Sequence, residues 1–200
     1  MEPRVAWIKE RFERATGGLV RVLADRGVSP TSVSLVGLAI CLIASPLIGM
    51  GWMVPGAVVF GIGSMADAVD GALARRRGIV SDFGAFLDST IDRVGEAAGL
   101  AALAAYFANL GEAWAVVLAV LALFGGNLTS YVRAKAESLG IPCEAGLMSR
   151  AERVMVFTLG LLFQLPHVTV CVLALATIVT GAQRFMIVQK ALAVREAAAN

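Results

Sequence analysis

Six apolar segments, each about 20 residues long as a bilayer crossing requires, follow one another along this chain with only short breaks between them. They lie near 32–50, 54–75, 83–107, 113–137, 151–165 and 168–190, the fifth being the shortest. In hydrocarbon every backbone polar group must be bonded within the protein, and a helix does this inside a single segment. The predicted fold is therefore all-α, a polytopic membrane protein with six transmembrane helices. Hydrophobic residues make up 58% of the sequence and charged ones 16%, and the mean hydropathy is +0.78. A soluble domain carries more charge than this. The breaks are Gly49-Met50-Gly51, Arg76-Arg77-Gly78, Asn109-Leu110-Gly111, Gly140-Ile141-Pro142 and Gln164-Leu165-Pro166. Each holds a residue that ends helices. The 200 residues suffice for one compact membrane domain over 1–200, with the six-helix bundle in 32–190.

Residues 1–27 form a separate element of that domain. Val5, Ile8, Phe12, Leu19, Val20 and Leu23 alternate with Arg4, Lys9, Arg11, Arg14, Arg21 and Arg26 at helical spacing. A basic amphipathic helix of this kind lies in the membrane interface. The stretch is too charged to hold the apolar core of a cleavable signal peptide. Pro30 follows it, and Thr31 or Ser32 is expected to cap the first crossing.

Charge fixes the orientation. All 17 Lys and Arg residues fall on one side of the six-span arrangement, and the opposite loops carry only Glu112 and His167. By the positive-inside rule both termini face the cytoplasm, in a multi-pass protein of the cell membrane. Trp7, Trp52 and Trp114 stand near the expected boundaries, where aromatic belts form. Cys41, Cys143 and Cys171 have no metal or redox spacing and read as small apolar fillers. No nucleic-acid partner is expected.

Acidic residues interrupt this apolar pattern. Asp67 and Asp70 are three apart near the end of the second span, and Asp88 and Asp92 are four apart near the start of the third. Each pair shares a helix face, and the short 75–83 turn makes the two helices antiparallel neighbours. Four carboxylates at one place repel each other strongly in a low dielectric. Carboxylates without His or Cys favour hard cations such as Mg²⁺ or Mn²⁺. Two such ions about 3.5–4 Å apart clamp phosphoryl groups during in-line displacement. Gly71, Ala72, Ala74, Gly84 and Ala85 leave room for a ligand or for close helix approach. Arg75, one turn beyond Asp70, suits phosphate. Intramembrane acids also occur in ion relays and in structural pairs, here with Arg75 or Arg93. A small ion-coupled transporter is thus the competing class, although a relay has no use for the glycines.

The run Asp67-x2-Asp70-Gly71-x2-Ala74-Arg75-x8-Gly84-x3-Asp88-x3-Asp92 resembles, without a departure, the signature of the CDP-alcohol phosphotransferases. Members of that family move a substituted phosphate group from a CDP-linked donor to an alcohol and release CMP. The resemblance implies that Asp67, Asp70, Asp88 and Asp92 hold two Mg²⁺ ions, with Asp92 as general base. Taking the proton of an attacking alcohol is work a positioned carboxylate can do. It also implies that Thr31, Ser34, Asp67, Gly71, Arg75, Ser81 and Gly84 contact the CDP part of the donor lipid. The family further implies a homodimer.

Ser149-Arg150-Ala151-Glu152-Arg153 and the Leu87-Asp88-Ser89-Thr90-Ile91-Asp92-Arg93 half of the signature are similar to the branch that uses inositol phosphate. That branch holds the phosphatidylinositol phosphate synthases and the archaetidylinositol phosphate synthases. There the phosphate of inositol 1-phosphate is held at positions matching Lys135, Arg153 and Arg184. Glycerol phosphate-using relatives usually have Pro at Ser89 and Lys at Arg93, and glycerol 3-phosphate is the alternative acceptor. Ala151 departs from the branch, which often has Pro there. Cationic residues also belong at cytoplasmic helix ends for topological reasons. Arg133 and Arg150 are read as such interface residues, and Arg76 and Arg77 as headgroup anchors. Glu96 is left between orienting a metal ligand and pairing with Arg93. His167, on the side away from the acids, is not expected to be catalytic.

Overall fold

The computed structural model describes residues 17–79, 81–143 and 145–199. Among these residues there are seven helices and no strand. They are α1 (17–25), α2 (Pro30–Gly49), α3 (Met53–Arg77), α4 (Asp82–Asn109), α5 (Ala113–Ser138), α6 (Arg150–Leu162) and α7 (Pro166–Ala199). The expected interfacial helix lies mostly in 1–16, outside the described residues. Its last part is α1, where Val20 packs with Val69 and Leu73 of α3.

Local chemistry sets the ends that matter to the site. Ser29, not Thr31 or Ser32, caps α2, its Oγ accepting from Ser32 N at 3.0 Å. Pro30 is preorganised for a first turn and takes that position itself, so the helix starts earlier than expected. Gly78 closes α3 in the left-handed region (φ +65), and Ile79 N donates back to Ala74 O at 3.2 Å. Ser81 then caps α4, accepting from Gly84 N at 3.1 Å. The start of α6 is fixed by a capping box between Ser149 and Glu152.

Among the described residues, four helices are long and apolar enough to cross a membrane: α2, α3, α5 and the 166–197 part of α7. These mark a membrane protein. The other two expected spans are helical but differ in kind. The stretch of α4 from 82 to 96 carries Asp82, Asp88, Asp92, Arg93 and Glu96. At 13 residues, α6 is about 20 Å long, less than a bilayer's hydrocarbon core.

The helices do not pack in simple sequence order. α2 lies against both α3 and α4, α5 against α4 and α7, and α6 against α3 and α7. α3 and α4, although joined by a short turn, barely touch. The α2–α3 approach is close because both sides lack a side chain. A Cβ at Gly37 would stand 2.8 Å from Gly63 O, and one at Gly63 would stand 2.8 Å from Gly37 O. The main core joins Ile48, Phe60, Leu103, Phe107, Leu161 and Val170. Phe60 and Phe157 meet within it at a ring separation of 4.8 Å. Cys41 and Cys143 are buried as expected, whereas Cys171 is exposed on α7.

Candidate active site

The site forms between α3 and α4, a few turns back from the Gly78 turn that joins them. Asp67, Asp70 and Asp88 each bring a carboxylate oxygen to one place, all within 4.8 Å of one another. α3 supplies the first two and α4 the third, so the acids meet although their helices hardly pack. Asp70 is buried and accepts a hydrogen bond from Ser34 Oγ of α2. α2 thereby braces the cluster from behind. An all-oxygen set of three carboxylates suits a hard divalent cation.

Asp92 lies one turn further along α4 and is outside that group of three. Its Oδ1 is 2.7 Å from Arg150 Nη2, and Arg150 Nη1 is 2.6 Å from Asp67 Oδ2. Arg150 is therefore not an interface residue. It opens α6 inside the bundle and pairs with two of the acids. Arg93, offered above as a structural partner, instead donates to its own helix at Ser89 O.

Two cavities share the cluster. The larger, about 980 Å³, is lined by Thr31, Ser34, Asp67, Gly71, Arg75, Ser81 and Gly84. All seven residues expected to touch a CDP-linked donor thus face one space. Leu87 of the signature adds apolar wall, as does Ile79, which carries no sequence signal. The smaller cavity, about 20 Å³, brings Asp92, Glu96 and Arg150 together with the same three aspartates. The cluster forms the wall between the two. Gly71 and Gly84 line the larger one without a side chain; a Cβ at Gly84 would stand 3.1 Å from Ser81 Oγ and one at Gly71 3.4 Å from Arg75 Nη1.

The three cations expected around an acceptor phosphate have different settings. Arg153 is buried, its Nε and Nη2 bonded to Glu96 at 2.5 and 2.8 Å. Arg184 is buried, donating from Nε to Ala145 O at 3.0 Å and from Nη1 to Thr129 O at 2.9 Å. Each keeps one terminal nitrogen outside these bonds. Lys135 is exposed in the last turn of α5. Glu96 thus pairs with Arg153 rather than with Arg93. Arg133 is exposed and pairs with Glu137 at 2.7 Å. His167 pairs with Glu112 at 2.5 Å and stacks on Trp114, an arrangement built from the α4–α5 turn and the start of α7.

Comparison with known proteins gives these geometries a context. The CDP-alcohol phosphatidyltransferase family profile matches residues 28–189. The phosphatidylinositol phosphate synthase of Mycobacteroides abscessus is 35% identical over 185 residues, covering 88% of this chain and 84% of the relative. The archaetidylinositol phosphate synthase of Pyrococcus horikoshii is 34% identical over 178 residues, covering 88% and 90%. Mycobacterium tuberculosis phosphatidylinositol phosphate synthase with CDP-DAG bound superposes with a TM-score of 0.80 at 28% identity, over 88% of this chain and 94% of that one. The same protein solved with manganese and citrate gives a TM-score of 0.80 at 28% identity, over 87% and 88%. A relative solved in complex with manganese and the trio of carboxylates in this chain together point to the use of a divalent metal. The chain belongs to the CDP-alcohol phosphatidyltransferase family, and it is a transferase of phospholipid biosynthesis.

Proposed function

We propose that this enzyme transfers the phosphatidyl-type group of CDP-diacylglycerol, or a similar CDP-lipid, to inositol 1-phosphate. CMP leaves and a phosphatidylinositol phosphate results. The observation that carries this reading is the single cavity of about 980 Å³ that unites the seven donor-contact candidates beside three carboxylates. The names of the relatives support the choice of acceptor.

Each residue has a definite task in this reading. Arg75, Ser81 and the open backbone at Gly71 and Gly84 bind the cytidine diphosphate, with Thr31 and Ser34 at its edge. Asp67, Asp70, Asp88 and Asp92 are the candidates for holding two Mg²⁺, or Mn²⁺ in their place. A cation bound there would offset the charge of the diphosphate. Asp92 takes the proton from the attacking inositol hydroxyl. Arg153 and Arg184, with Lys135 at the rim, hold the acceptor's phosphate through the nitrogens left outside their structural bonds.

The same reading makes 1–200 one domain of six crossings, with 1–27 at the interface, and makes the protein a homodimer. Both termini and the site face the cytoplasm, where the basic residues lie. The test is CMP release by purified protein given CDP-diacylglycerol and labelled inositol 1-phosphate. Label should enter the lipid fraction only with that acceptor. Equal incorporation of glycerol 3-phosphate would refute the acceptor assignment.

A further inference from the structure

Arg150 is the residue through which α6 reaches the acids. Its two terminal nitrogens take one carboxylate from α3 and one from α4, Asp67 at 2.6 Å and Asp92 at 2.7 Å. A planar guanidinium can hold two carboxylates in a fixed relation, which a lysine ammonium cannot. The capping box of Ser149 and Glu152 fixes the backbone at the residue where this side chain starts. Its third donor, Nε, is buried and has no protein acceptor among the described residues. An arginine kept only to tie helices together would have that donor satisfied, because buried donors left unpaired cost stability. The neighbouring Arg153 shows the satisfied case, with Nε and Nη2 both on Glu96.

Asp67 has two claims on it. It belongs to the trio of carboxylates, and it also carries the Arg150 guanidinium. A positive charge on one of these carboxylates lowers the trio's attraction for a cation. We infer that Arg150 is a positioning residue that couples the trio to Asp92. It aligns Asp92 through one carboxylate oxygen, and its place on Asp67 weakens the trio's hold on a divalent ion. This rests on the proposed role of Asp92 as base.

Direct Mn²⁺ titration followed by electron paramagnetic resonance tests it, using full-length protein in nanodiscs without substrate. Arg150→Gln should bind Mn²⁺ about tenfold more tightly than the unaltered protein. Its kcat should fall about ten- to a hundredfold, the usual loss when a residue that orients a reacting group is removed. Arg150→Lys keeps the charge but not the fork. It should hold the Mn²⁺ Kd within about twofold while kcat still falls. Unchanged or weaker Mn²⁺ binding by Arg150→Gln would overturn the inference, and so would full kcat in Arg150→Lys. If Arg150→Gln loses its helical circular dichroism, the kcat of Arg150→Lys decides alone. An unaltered protein that released no CMP would refute the proposed function instead, and the Mn²⁺ comparison would still be readable.

Discussion

Arg153 of α6 and Glu96 of α4 meet as a two-pronged pair, with side chains only 5% and 14% exposed. Gly126 of α5 makes the space for it, since a Cβ there would stand 3.1 Å from Glu96 Oε1. Removing one partner of a buried pair strands the other charge. Glu96→Ala should therefore cost about 3 kcal/mol of stability, seen as a lower thermal midpoint in detergent. Adding Arg153→Met should recover much of the loss. A double variant no more stable than Glu96→Ala would contradict this account.

The carboxylate trio predicts a strict need for added metal. Chelation should stop CMP release, and Mg²⁺ or Mn²⁺ should restore it. Asp88→Asn removes one of the three charges without changing shape. It should reduce turnover by about a hundredfold or more while the helical circular dichroism stays as before. Full turnover in the presence of excess chelator would be incompatible with the site.

Gly84 lines, beside Ser81, the larger cavity proposed for the donor. Gly84→Val puts branched carbon into that space. The KM for CDP-diacylglycerol should rise about tenfold, or about 1.4 kcal/mol of binding, with kcat changing less. Saturation kinetics with varied donor at fixed inositol 1-phosphate provide the check. An unaltered KM would mean the donor lies elsewhere.

The Gly37–Gly63 crossing predicts a fold defect without any change in chemistry. A Cβ at Gly63 would stand 2.7 Å from Cys41 Sγ and 2.8 Å from Gly37 O, and backbone cannot swing aside. Gly63→Val should cost about 3 kcal/mol by overpacking, read as loss of the monodisperse peak in size exclusion. Gly18→Ala meets nothing within 4 Å and should be tolerated.

Much of this architecture is legible before any coordinates. The helix ends follow Gly and Pro, whose backbone preferences are local. The Asp spacing is legible for the same reason, since residues three and four apart share a helix face whatever surrounds them. Arg150 is different. Its sequence neighbourhood is that of any basic helix start, and only the packing of α6 against α3 brings it to Asp67. The Arg153–Glu96 pair also spans 57 positions, and no periodicity carries such a relation. The Gly37–Gly63 contact is hidden because glycine in an apolar helix reads equally as slack or as a crossing point. That only four of the described helices have the length and apolarity of a crossing has plain causes: α6 is short, and the charges that make α4 useful also lower its apolarity.

The splayed hairpin of α3 and α4 has a further consequence. Arg150 ties the two arms on one side, through Asp67 and Asp92, and on the side of the larger cavity whatever enters the gap can tie them a second time. A donor lipid seated there would act as a missing rib, touching both arms at once. Heat resistance should then climb with ligand concentration, as mass action requires when only the folded form binds, and amides along the inner faces of the two arms should exchange more slowly once the gap is filled.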